Sequence, residues 1–174
     1  MVAGTRQLIV CAAIAGALVA FLAGCGGDSD SATTTTGSHE ELTKSEVVAR
    51  GDAICKDAHD EFARLQQNPP TTSEGAATLT QRVIDITETE LSQLRALNPP
   101  ASVKAALESY LKALDKNVAT LKQGLEAAQQ NDATGYAQAQ AKTVKEQVTR
   151  LQLAQAVGFK ECSRPAGTAP ASTG

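Results

Sequence analysis

VKAALESYLKALDKNVATLKQGLEAA, residues 103 to 128, carries apolar side chains at Val103, Leu107, Tyr110, Leu114, Val118, Leu121, Leu125 and Ala128. The steps between them are 4, 3, 4, 4, 3, 4 and 3. That is close to the heptad spacing with which a helix keeps one apolar seam turned toward its neighbours. A strand would need strict alternation, which the stretch lacks. A seam of this length cannot be buried by its own helix, so the fold must supply helical partners.

Those partners lie on either side. Upstream, Thr43-Lys44-Ser45-Glu46 has capping-box spacing, in which the threonine oxygen meets the amide of Glu46 and the carboxylate reaches back. It predicts a helix over about 44–67, with Val47, Ile54, Cys55, Ala58, Phe62 and Leu65 on one face and a gap at Gly51. Asn68-Pro69-Pro70 stops it. A second helix over about 74–97 places Leu79, Val83, Ile86, Leu94 and Leu97 on a stripe that Ile84 and Leu91 widen. Asn98-Pro99-Pro100 ends that helix and opens the next, since a first turn tolerates proline. Downstream, Asn131 and Asp132 break and cap, and a fourth helix over about 133–157 is expected to turn Ala137, Ala141, Val144, Val148 and Leu151 inward. Gly158 closes it. Four helices of similar length joined by short turns imply an all-α, antiparallel up-down-up-down bundle over residues 43–162.

Composition agrees with this. Aromatics make up 3% of the 174 residues and tryptophan is absent, which favours helices over an aromatic-rich sandwich. The formal net charge is −3, and the basic residues stand singly among carboxylates. A phosphate backbone requires clustered Lys and Arg, so nucleic acid is excluded as a partner.

The start of the chain has a different character. Arg6 precedes an apolar run from Leu8 to Ala23, which suits a signal-peptide core and is short for a span of about twenty residues. The run ends in Leu22-Ala23-Gly24-Cys25, which resembles the lipobox of bacterial lipoproteins. The resemblance implies a signal peptide over 1–24 and a diacylglyceryl thioether on Cys25, with further acylation such as palmitate. Small residues at 23 and 24 admit the backbone to a protease cleft, and the thiol is the nucleophile. An uncleaved membrane helix, or plain cleavage with Cys25 a bystander, is the competing reading. Two or more acyl chains at about 0.8 kcal/mol per buried methylene hold a protein durably on a bilayer. Residues 25–42, rich in Gly, Ser, Asp and Thr, read as a flexible tether with an r.m.s. span of roughly 20 to 25 Å. Residues 163–174 read as a disordered tail.

With Cys25 lipidated and Cys11 removed, Cys55 and Cys162 remain, in a compartment where disulfides persist. A bridge between them is expected; two separate buried thiols are the alternative. The bridge constrains the geometry. If Gln67 and Asp132 lie level, Cys55 sits about 18 Å down the first helix, whereas a straight fourth helix would carry Cys162 about 45 Å down. Either the hairpin of helices three and four overhangs, or the chain reverses at Gly158 and returns by up to roughly 13 Å. A reversal with some stagger, Phe159 packing under the bundle, reconciles the two.

Leu42-Thr43-Lys44-Ser45-Glu46-Val47-Val48-Ala49-Arg50-Gly51-Asp52-Ala53-Ile54-Cys55, taken with Gly158-Phe159-Lys160-Glu161-Cys162, resembles a group of small bacterial secreted and lipid-anchored helical proteins. The resemblance implies that the two cysteines are a structural framework, and it brings no activity or cofactor with it. Alanine is frequent in that group where this chain has Gly51, a change that loosens a helix by up to about 1 kcal/mol.

Reactive constellations are absent from the sequence. His39 and His59 are the two histidines, with no Glu-x-x-His, His-Glu-x-x-His or Cys-x-x-Cys-His. Asp52, His59, Asp60 and Glu61 cluster on the first helix as a solvated polar face, without a third ligand from another element. Glu88 and Glu90 point to different sides of a helix, which is wrong for paired acid and base. No Gly-x-Ser-x-Gly or phosphate loop occurs. The expectation is therefore no catalytic, metal or cofactor-binding residue. The chain reads as a lipoprotein at the extracytoplasmic face of the cell membrane, a non-catalytic interaction or structural module with the membrane and an envelope protein as partners. The alternative is a small-ligand or metal-binding accessory or sensor lipoprotein, with Tyr110 and Tyr136 lining a cleft.

Overall fold

The computed structural model describes residues 40–165. The expected signal peptide, Cys25 with its lipid, most of the tether and the tail from Ala166 onward lie outside the described residues. The helices are α1 (Lys44–Leu65), α2 (Ser73–Arg95), α3 (Ala101–Gln129) and α4 (Ala133–Val157). They form an antiparallel up-down-up-down bundle, and no strand occurs among the described residues. The fold starts one residue inside the stretch read as tether: Leu42 is buried, and its amide donates to the Asn98 carbonyl at 2.9 Å.

Local chemistry sets the helix ends. Thr43 and Glu46 form the capping box, with Thr43 N donating to Glu46 Oε2 at 2.8 Å and Glu46 N to Thr43 Oγ1 at 3.3 Å. Thr72 and Asp132 cap α2 and α4 by accepting from the amides of Gly75 and Gly135. Both prolines of Asn98-Pro99-Pro100 precede α3, Pro100 serving as its N-cap with an extended backbone. Asn131 takes a left-handed φ of 56° in the turn between α3 and α4, a conformation that asparagine tolerates better than most residues.

α3 is the central helix and packs against both α2 and α4. Its seam is buried from Val103 to Leu121, with Ala128. A second buried row, Asn117, Thr120, Gly124 and Ala127, lies beside it. On α2 the deepest positions are Leu94 of the expected stripe, Ile84 and Leu91 beside it, and Thr80 and Thr87, whereas Leu79, Val83, Ile86 and Leu97 are half-buried. Two threonines can take core positions because their hydroxyls donate to the carbonyls four residues back, Thr80 to Ala76 and Thr87 to Val83, each at 2.8 Å.

α4 departs from expectation most. Val144 and Val148, expected inside, are 63% and 60% exposed, Ala137 and Ala141 are exposed too, and Leu151 is half-buried. The inward face instead carries Ala139, Thr143, Glu146, Arg150, Ala154 and Val157. The C-terminal end sets this rotation. Ala154 and Val157 join the core beside the disulfide, and stepping back from them by threes and fours reaches Arg150, Glu146 and Thr143. Close approach of Gly124 to Ala139 fixes the far end, where a Cβ on Gly124 would lie 3.2 Å from Ala139 Cβ.

The chain reverses at Gly158, whose φ of 105° is left-handed and closes α4. Phe159 then turns under the bundle, 2% exposed, with its amide donating to the Ala154 carbonyl at 3.0 Å. Cys162 reaches Cys55, Cα to Cα 5.1 Å, and closes a disulfide across a sequence separation of 107. Asp52 Oδ1 accepts the amides of Lys160 and Glu161 at 2.8 Å each, so this residue of the expected solvated face holds the C-terminal turn.

Gly51 fills the gap in the first stripe for a steric reason. The Phe159 ring lies against it, and a Cβ there would stand 2.2 Å from Phe159 Cε1. Gly51→Ala should therefore lower thermal stability by about 1–3 kcal/mol through overpacking, despite the gain of about 1 kcal/mol in helix propensity. Adding Phe159→Leu should recover part of the loss. Replacing both Cys55 and Cys162 by alanine should cost about 2–4 kcal/mol in the same melting experiment.

Candidate functional site

The group of side chains with the most unusual chemistry lies inside the bundle, beside the disulfide. Stepping along α2 by 4, 3, 4, 4 and 3 from Leu79 gives Val83, Ile86, position 90, Leu94 and Leu97. Position 90 is a glutamate, and with buried Thr87 three residues before it and buried Leu94 four after it, the register of α2 carries a carboxyl into the core. Glu90 is 9% exposed. Its Oε1 accepts from Tyr110 Oη at 3.2 Å and lies 3.3 Å from Cys55 Sγ. A bonded sulfur has no proton to donate, so the sulfur contact is one of packing. Tyr110 is held in turn by Phe159, edge to face, with ring centroids 5.8 Å apart.

α3 and α4 extend this layer. Arg150 Nη1 donates to Asn117 Oδ1 at 2.7 Å. Thr120 Oγ1 lies 3.2 Å from Glu146 Oε1, which Lys116 Nζ approaches at 3.5 Å. Each helix thus contributes at least one member: Cys55 from α1, Glu90 from α2, Tyr110, Asn117 and Thr120 from α3, Glu146 and Arg150 from α4.

Burial decides the electrostatics. Removal from water pushes the Glu90 carboxyl above the usual carboxylate range; the Arg150 charge and the Tyr110 hydrogen bond pull it part of the way back. Burial also pushes the Tyr110 hydroxyl well above its ordinary value, and the neighbouring Glu90 adds to the shift. Half-buried His59 on α1 is pushed down, first by desolvation and then by the Arg164 and Arg150 charges.

Tyr110 and Tyr136, read from sequence as the lining of a cleft, are not drawn together. Tyr110 sits in the core, whereas Tyr136 is half-buried at the start of α4. About 27 Å of helix separates Tyr136 from Ala154 in the Tyr110 cluster. Asp60 is on the surface, paired with Lys56 at 2.7 Å. Among the described residues no three of His, Cys, Asp and Glu are placed to hold a metal ion. Clefts of about 280 to 480 Å³ lie along the helix junctions. One of those between α1 and α2 has Ile54, Ala58, Ile86 and Glu90 along its walls and Asp57 and Glu61 beside them. Sequence reading weighed Glu90 only as a carboxylate pair with Glu88, and it passed over Asn117, Thr120, Glu146 and Arg150. The signal for Glu90 was the empty step in its own stripe.

A carboxyl whose folded pKa is raised favours the folded state below its unfolded pKa, and this contribution is lost as pH rises through the folded value. Glu90→Gln keeps an acceptor for Tyr110 and removes the titration. Its melting temperature should exceed that of the wild type at neutral pH, and the two should converge in acid below the ordinary carboxylate range. A variant less stable than wild type at neutral pH would show that Arg150 keeps Glu90 charged.

No protein-family model matches the chain, and no significant match is found among curated proteins or solved structures.

Proposed function

We propose that this chain is an extracytoplasmic lipoprotein, anchored in the cell membrane through Cys25, whose helical domain is a non-catalytic interaction or structural module of the cell envelope. The observation that carries the proposal is Leu22-Ala23-Gly24-Cys25 at the end of an apolar run of signal-peptide length. The Cys55–Cys162 disulfide lends support, because such bonds persist in oxidising compartments and are rare in the cytosol. No helix among the described residues is long and apolar enough to cross a membrane, which is compatible with attachment by lipid.

The module reading draws on how the interior is used. Three interhelical pairs occupy much of the polar interior, Glu90 with Tyr110, Arg150 with Asn117 and Glu146 with Thr120, while Asn117 Nδ2 and Glu146 Oε2 are buried without a hydrogen-bond partner among the described residues. Among the described residues the two cysteines are joined in a disulfide. What remains for a partner is the outer surface of the helices, presented at a distance from the bilayer by the polar stretch after Cys25.

Metabolic labelling with a palmitate analogue tests the anchor. The wild type should take up label and fractionate with membranes, and Cys25→Ala should lose the label and remain as precursor or be released. Equal labelling of the two proteins would falsify the assignment of Cys25.

A further inference from the structure

The outward face of α4 is a row of apolar side chains with one lysine at its edge. Ala137, Ala141, Val144, Val148 and Leu151 recur at steps of 4, 3, 4 and 3, the a/d spacing of a coiled-coil seam. The bundle leaves this seam outside, with both valines more than half exposed. Its flanks are Gln138, Lys145 and Gln152 on one side and Gln140 and Gln147 on the other. The one acid of α4, Glu146, is turned inward toward Thr120.

We propose that this face pairs with the same face of a second copy, α4 against α4, antiparallel. Register supports the choice of occupant. When Val144 faces Ala141 of the other copy, Val148 faces Ala137, so each valine meets an alanine and the two helices can approach closely. The same register sets Lys145 opposite Gln138 and Gln140 opposite Gln147, and no like charges meet. A different protein chosen by charge would need a patterned flank to read, and glutamines supply none. A bilayer surface would be met by large apolar side chains flanked by several Lys or Arg; here the seam is alanine, valine and a single leucine beside one lysine.

The strip is about 21 Å long and one helix wide, roughly 200–400 Å² per copy, against about 800 Å² in a standard stable interface. The pair is therefore reversible. The inference rests on the interaction-module reading but not on the lipid. A labelled, membrane-bound protein that stays monomeric loses only this inference, and an unlabelled protein that dimerises loses only the anchor.

Sedimentation of the full chain in detergent from about 10 μM to about 1 mM, a range that brackets weak interfaces, tests it. The wild type should shift from monomer to dimer. Val144→Gln with Val148→Gln, both at exposed positions, should weaken the dimer at least tenfold while leaving the melting temperature unchanged. For register, a copy carrying Ala141→Cys mixed with a copy carrying Val144→Cys should form an intermolecular disulfide, and neither alone should do so to the same extent. Three results overturn the proposal: a monomer at every concentration, a dimer indifferent to the double substitution, or Val144→Cys cross-linking by itself as well as in the mixture.

Discussion

Phe159 rests on Gly51, Asp52 holds the two amides that follow, and Cys162 closes onto Cys55. These contacts join the turn that follows α4 to the middle of the first helix, and the rotation of α4 follows from them. With Ala154 and Val157 drawn into the core beside the clamp, a rigid helix can carry only Arg150, Glu146 and Thr143 along its inner face. The valines must then point outward.

That rotation accounts for the polar layer. A helix arriving with Arg150 and Glu146 on its inner face requires partners on α3, and Asn117 and Thr120 stand in the buried row that meets it. Glu90 enters from α2 by its own register and is met by Tyr110. Buried polar groups contribute little net stability when paired and cost heavily when unpaired. In this layer the three interhelical pairs meet that demand, whereas Asn117 Nδ2 and Glu146 Oε2 remain buried without a partner among the described residues. At the surface, α2 and α3 are further joined by Arg95 with Asp115 at 2.6 Å and Lys122 with Glu88 at 2.8 Å. Both pairs are about half exposed, and exposed pairs of this kind add little.

Much of the architecture was legible along the chain. The seam of α3, the capping box at Thr43, the cap at Asp132 and the closing Gly158 depend on neighbours within a few residues, and each occurs where the sequence places it. The depth argument for a reversal at Gly158 needed only the helical rise and two cysteines. Gly51 was read as a weak point in α1 because propensity was the only term in view; its reason is an aromatic ring 108 positions later in the sequence.

By itself the sequence determined the number of helices, their approximate ends and their antiparallel order, because these follow from short-range periodicity, capping chemistry and chain length; the pairing of Cys55 with Cys162 was an expectation that the disulfide meets. Tertiary structure alone decided which of two possible stripes on α4 faces the core, that Glu90 is an interior residue, and that Asp52 is a clamp. α4 carries apolar residues on opposite sides, so its own pattern is ambiguous. Only the steric and covalent demands of a distant segment choose between them.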